Sequence, residues 1–179
     1  MERTKRSNPA ILACDPSFTG WGYAVMRGDA VHESGCIRTI PEAKKRRIRE
    51  GDDRVRRTSE IIQVLLTLIK SHNIALIVSE LPHGSQNAKA AIMMGVVVGI
   101  VQTLSDTLKI PVEWYSENDA KKALLGKISA AKQEVINAID QEYQVDWTNT
   151  KYIDEALADS IAIYHVAKKQ SPLIKYLNR

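Results

Sequence analysis

AILACDPSFTGWGYAVMRGDAVHESGCIR (Ala10–Arg38) is the stretch on which the fold turns. AILACD is aliphatic enough for a strand, and Pro16 ends it, because proline cannot donate to a central ladder. GWGYAVM (20–26) and the run from Ala30 to Arg38 read as two more strands, with turn chemistry in Arg27-Gly28-Asp29 between them. Connections this short require antiparallel neighbours.

Downstream the pattern changes period. Ile61, Ile62, Leu65, Leu66 and Ile69 share one helical face, and Ser71-His72-Asn73 stops that helix. IALIVSE (74–80) is a nearly continuous aliphatic run, as in a strand buried on both faces. Residues 86–108 predict a long helix, apolar nearly all round from Ala90 to Val101 and so expected to be buried on more than one side. Gly95 and Gly99 within it would let another backbone approach, either the sheet or a second subunit. Pro111–Tyr115 predicts a last strand; 117–124, 130–143 and 154–169 predict helices. Strand–helix–strand crossovers make parallel pairs. The expected fold is therefore α/β, a five-stranded mixed sheet with helices on both faces.

The chain has 179 residues, enough for one domain with a real core. We expect a basic arm at 1–9, carrying Arg3, Lys5 and Arg6, and a single domain over 10–179. The net charge of +4 is mild, but its distribution is uneven. Lys44, Lys45, Arg46, Arg47, Arg49, Arg54, Arg56 and Arg57 crowd one segment, opposed only by Glu50, Asp52 and Asp53. Such a run is either a solvated face or a phosphate-contacting surface. Cys14 and Cys36 lack the spacing and the histidines of a zinc site, and fit reduced thiols of a cytoplasmic protein. No signal peptide is visible. The most apolar run, about a dozen residues, falls short of the roughly 20 needed to span a bilayer, so no membrane association is expected.

Three acids stand where chemistry is done. Asp15 ends the first strand and Glu80 the fourth, and ligands usually bind at such strand ends. Asp159 lies within an apolar helix beside Ala158 and Ala162, a costly place for a carboxylate unless it meets water, a partner or a metal. Converging, the three would offer hard oxygen ligands for Mg²⁺ or Mn²⁺. Taken singly, each reads equally well as a capping or solvent-facing acid.

The motifs around these acids carry a resemblance. DPSFTGWGYAV (15–25), SGCIRT (34–39), IVSELPH (77–83), PVEWYSENDAKKALLG (111–126) followed by SAAKQEV (129–135), and ADSIAIYH (158–165) resemble, in order, the motifs of RuvC-type Holliday junction resolvases. The likeness runs from about Ala10 to Lys168. It implies a ribonuclease H-like fold and a homodimer that binds four-way DNA junctions, or branched DNA more broadly, with no small-molecule substrate. It also implies paired symmetric nicks that need Mg²⁺, with Mn²⁺ as substitute. On that pattern Asp15, Glu80 and Asp159 are metal ligands, and Lys121 and Lys132 place positive charge near the scissile phosphate.

The chain departs from the pattern at several points. Where the family has an acid or histidine three residues before the last aspartate, this chain has Ala156. Glu155 is then the expected fourth ligand, with Asp154 as alternative. His83 stands at the family's base-stacking aromatic and becomes a DNA-contact candidate. The basic segment is expanded and the loop after Asp15 is short. These are the marks of a divergent, phage-type member acting in a bacterial or infected-host cytoplasm. Alternative readings are a debranching nuclease with loose junction specificity, a junction-binding protein that does not cut, and, more remotely, an actin-like nucleotide-binding fold, against which the missing second lobe argues.

Overall fold

The computed structural model describes residues 9–42 and 48–177. Lys44, Lys45, Arg46 and Arg47, and all of the basic arm except Pro9, lie outside these described residues. Five strands form one sheet: β1 (Ala10–Asp15), β2 (Gly20–Arg27), β3 (Ala30–Arg38), β4 (Ile74–Glu80) and β5 (Val112–Tyr115), in the order β3-β2-β1-β4-β5. β1–β2 and β2–β3 are antiparallel, whereas β1–β4 and β4–β5 are parallel. This is the mixed five-stranded sheet expected from the sequence. The β2–β3 hairpin closes through Gly28, whose φ of 59° is accessible to glycine at no steric cost.

The helices are α1 (Glu50–His72), α2 (Ala88–Leu108), α3 (Glu117–Leu125), α4 (Lys132–Glu142), α5 (Lys151–Gln170) and α6 (Pro172–Leu177). Strand alternation sends side chains to two cores. Ala10, Leu12 and Cys14 of β1 meet Ile61 and Leu65 of α1 and Val97 and Val101 of α2. Ile11 and Ala13 face the other way, against Ile161, Ala162 and Tyr164 of α5 and Ile139 of α4. Counting on by two places Asp15 on the α5 side; Leu76 and Val78 set Glu80 on the same side by the same rule. Polar groups in the second core are paired: the Tyr164 hydroxyl donates to the Gly28 carbonyl at 2.6 Å, and the Tyr143 hydroxyl lies 3.0 Å from His165 Nδ1.

Three expectations need correction. The first helix begins at Glu50, within the basic segment, and takes in Gly51. Glycine costs little in a first turn whose N–H groups lack helical partners anyway, and Glu50, Asp52 and Asp53 oppose the positive end of the helix dipole. The last long helix starts at Lys151, and the short α6 that follows has no signal in the apolar periodicity.

The third correction concerns α2. It is buried along one stripe only, Val97, Ile100, Val101, Leu104 and Ser105, while Ile92 is 53% exposed and, among the described residues, nothing comes within 4 Å of a Cβ placed on Gly95 or Gly99. Its full 21 residues also pass, by length and composition, as long and apolar enough to cross a membrane, which the shorter run read from the sequence did not. Here it packs on the sheet with its second face open.

Candidate active site

β1 stops at Asp15 because Pro16 cannot continue the ladder, and β4 stops at Glu80 shortly before Pro82. Cys14 is the register partner of Ser79, so the next residues, Asp15 and Glu80, emerge side by side on strands about 4.8 Å apart. On its other flank Glu80 pairs with Tyr115, and the amide of Leu81 donates to the Tyr115 carbonyl at 2.9 Å. The ends of β1, β4 and β5 thus form one edge.

Gly22 brings α5 onto that edge. It is the register partner of Asp15. A Cβ placed on it would sit 2.1 Å from the carbonyl oxygen of Ala156. Only a residue without a side chain lets the helix lie so low on β2. Asp159 is three residues further along, about 4.5 Å of helical rise, and so arrives over Asp15.

The electrostatics record this convergence. Burial raises Asp15 well above the usual carboxylate range, and the charges of Asp159 and Glu80 raise it further. Glu80 is pushed up to about 7 by burial, then by Asp159 and Glu117. Burial raises Asp159 too, against the pull of Lys132, whose ammonium donates to Asp159 Oδ2. Burial works to lower Lys132, but Asp159, Asp15 and Glu117 outweigh it and hold its pKa above the ordinary value. Lys121 Nζ lies 2.6 Å from Glu117 Oε1. That bond is the main reason Glu117 is lowered, with Lys132 and His83 adding to it.

The expected residues therefore divide. Asp15, Glu80, Asp159 and Lys132 come together, and Lys121 joins them through Glu117. Glu155 is not among the leading charges acting on any of the three acids. Asp154 is buried and turned into its own loop, where Oδ1 accepts from the amide and the hydroxyl of Thr148, each at 2.8 Å. Ala156 is packed beneath the sheet edge against Gly22.

His83 is exposed at the rim of an open cleft of about 560 Å³ that is also lined by Phe18, Arg57, Glu80 and Met93. Arg49, Arg54 and Arg56 lie on or beside α1, paired with Asp52, Glu50, and both Asp53 and Glu60, respectively. Arg57 is different. It is buried over the Phe18 ring, with Nε donating to Thr39 Oγ1 at 2.9 Å and Nη2 to the Phe18 carbonyl at 3.2 Å. In this position it braces the loop that follows Asp15.

Glu117 was missed by the reading from sequence, which took it as the start of an amphipathic helix. The signal was available: it follows the end of β5 as closely as an N-cap allows, at the same edge as Asp15 and Glu80.

The donor chemistry suits a hard divalent cation. Fully ionised, the four carboxylates would outweigh the two ammonium groups here by two negative charges, which a divalent cation would balance. Among the described residues no three such side chains stand close enough to hold a metal, and Lys132 is paired with Asp159. Closure on an ion needs rotation of side chains.

Residues 11–165 match the family model of crossover junction endodeoxyribonuclease RuvC. The chain belongs to the RuvC family. Among curated relatives, the RuvC of Aeromonas salmonicida is 32% identical over 173 residues, covering 94% of this chain and 92% of its own length. The RuvC of Chlorobium phaeobacteroides is 28% identical over 146 residues, covering 79% of this chain and 73% of its own. Thermus thermophilus RuvC, solved in complex with a Holliday junction substrate, superposes with a TM-score of 0.70 at 21% identity, over 89% of this chain and 92% of that one. The yeast mitochondrial Holliday junction resolvase Ydc2 gives 0.64 at 13% identity, over 97% and 84%. These superpositions make the fold ribonuclease H-like. RuvC enzymes are metal-dependent nucleases, in keeping with the carboxylate edge.

Proposed function

We propose that this RuvC-family chain is a structure-selective endonuclease that resolves four-way DNA junctions by paired symmetric nicks. The observation that carries the reading is the convergence of Asp15, Glu80 and Asp159, from two strands and a helix, within a chain that matches the family over residues 11–165. Mg²⁺ is the proposed ion, with Mn²⁺ as substitute, held by these carboxylates. Asp15, Glu80 and Asp159 would hold the cation, which would there supply activation of water and charge stabilisation at the leaving oxygen of the phosphodiester. The protein's own part is to fix the acids in a poorly solvated notch and to set Lys132 beside them, where its ammonium balances charge on the phosphate.

The DNA arms lie, in this reading, along Lys44, Lys45, Arg46, Arg47, Arg49, Arg54 and Arg56, with His83 at the crossover. Phosphate contacts of that number make binding strongly salt-dependent. The open face of α2 is the proposed homodimer interface; beside it a groove of about 410 Å³ runs between Ile62 and Leu66 of α1 and Gly99 and Leu104 of α2. Two-fold symmetry suits a substrate that needs two coordinated cuts. The nuclease domain spans 10–179 behind a basic arm, and the two free cysteines agree with a cytoplasmic setting.

The test uses a labelled immobile junction, flap and fork substrates and a linear duplex, each with Mg²⁺ and with EDTA. Symmetric nicks confined to the junction and dependent on Mg²⁺ are expected. Cleavage of flaps and forks as efficiently as junctions favours the debranching alternative. Tight junction binding without any metal-dependent product means that the protein binds and does not cut.

A further inference from the structure

Glu117 falls inside the family-like stretch 111–126 but is not one of the site residues that the resemblance implies, yet the structure sets it at the edge that carries Asp15 and Glu80. It opens α3, two residues beyond the strand partner of Glu80. An ordinary i, i+4 pair with Lys121 would explain its ion pair. Such pairs usually stand in solvent, where they contribute little. This one is partly buried: the side chains of Lys121 and Glu117 are 15% and 35% exposed. Glu117 also acts as a repelling charge on Asp15, Glu80 and Asp159, which belong to three different elements. A fourth carboxylate close enough to repel three others is unfavourable unless a cation joins them. Meanwhile Asp154 is held by Thr148, Ala156 has no donor, and Glu155 is not among the leading charges on the three acids, which leaves Asp159 as the carboxylate of the last long helix that couples to the edge.

We propose that Glu117 is the fourth carboxylate of the metal centre and that it exchanges partners, bound to Lys121 without metal and turned to the cation with it. The exchange leaves the Lys121 ammonium free for the phosphodiester at the moment the site is loaded. The inference rests on the metal-binding reading of Asp15, Glu80 and Asp159 given above.

The experiment measures Mn²⁺ binding to the full chain, without DNA, by electron paramagnetic resonance and calorimetry. Glu117→Gln should weaken Mn²⁺ binding tenfold or more, whereas Glu155→Gln should change it less than twofold. Lys121→Met should tighten binding several-fold, a gain that misfolding cannot produce. In the Glu117→Gln background the same lysine substitution should have no effect, because the exchange has lost its carboxylate. Through-space charge alone would leave the lysine effect intact in both backgrounds, and that result overturns the proposal. So does a Glu117→Gln affinity within twofold of the wild type while Asp15→Asn abolishes binding; the metal reading would then survive without Glu117. Wild-type protein that binds no Mn²⁺, or binds it equally well as Asp15→Asn, overturns both.

Discussion

α5 and α2 are nearly equal in length, 20 and 21 residues, and opposite in fate. α5 is the less apolar and the more buried: twelve of its residues are sealed, and Asp154, Ser160 and His165 are among them. α2 is apolar over most of its length and buries five. Composition does not decide between them; neighbours do. α5 crosses the strands at the sheet centre with α3, α4 and α6 around it, and its Ala156, Ala158 and Ala162 allow close approach. α2 meets the sheet and α1 through one buried stripe, 97, 100, 101 and 104, with Met93, Val96 and Leu108 partly covered beside it and Ile92 exposed. One helix is finished by its own chain and delivers an acid to the active edge. The other keeps an apolar face that no described residue covers, the face on which the proposed homodimer closes.

The sharpest way to break this contrast is at the acid that α5 delivers. Asp159→Asn is expected to lower junction cleavage by at least about 10²–10³-fold, the scale of losing one preorganised electrostatic group, with little change in thermal midpoint. Initial rates on a labelled junction check this. Next comes the seat of the helix. Gly22→Val should push α5 off β2 and cost about 3 kcal/mol, the upper range for overpacking, measured by urea unfolding. Gly22→Ala should cost less but still lower cleavage, because it moves Asp159 away from Asp15.

On the α2 side, Ile92→Arg should leave folding intact and weaken self-association by about 30-fold, as expected for loss of an interface hot spot. Analytical ultracentrifugation reads that shift. A monodisperse dimer at all concentrations would remove α2 from the interface.

The smallest effect expected is in pH dependence. Glu80 has a folded pKa of about 7 against an ordinary value near 4.5, and Asp15 is raised as well. A raised carboxylate contributes stability below its unfolded pKa, and that contribution is lost as pH rises through the folded value. The metal-free protein should therefore gain stability from these groups between pH 7 and pH 5. Metal binding runs the other way, because the ion displaces the protons. Its affinity should fall about tenfold per pH unit below 7 for each proton displaced, as measured by calorimetry.

Much of this was legible in the sequence. The strands of Ala10–Arg38 and the buried run IALIVSE stand where the aliphatic pattern and the prolines place them, because a central strand has few other ways to satisfy its backbone. Strand alternation also puts Asp15 and Glu80 on one face. The illegible parts are those that depend on distant contacts. No periodicity says that the carbonyl of Ala156 rests on Gly22, since the two are brought together only by the sheet. The commitment of Asp154 to Thr148, and of Arg57 to Thr39 and the Phe18 carbonyl, is equally a matter of tertiary position. Glu117 was hidden by a correct but incomplete reading, that of an acid in the first turn of a helix.

The central claim is that Asp15 belongs to a metal-dependent cleavage centre built on a junction-binding protein. The most direct measurement compares wild type and Asp15→Asn on one labelled junction with Mg²⁺, scoring cleavage and gel-shift binding in the same samples. Asp15→Asn should bind the junction within a few-fold of the wild type and yield no nicks. Wild-type rates of nicking by Asp15→Asn would contradict the claim.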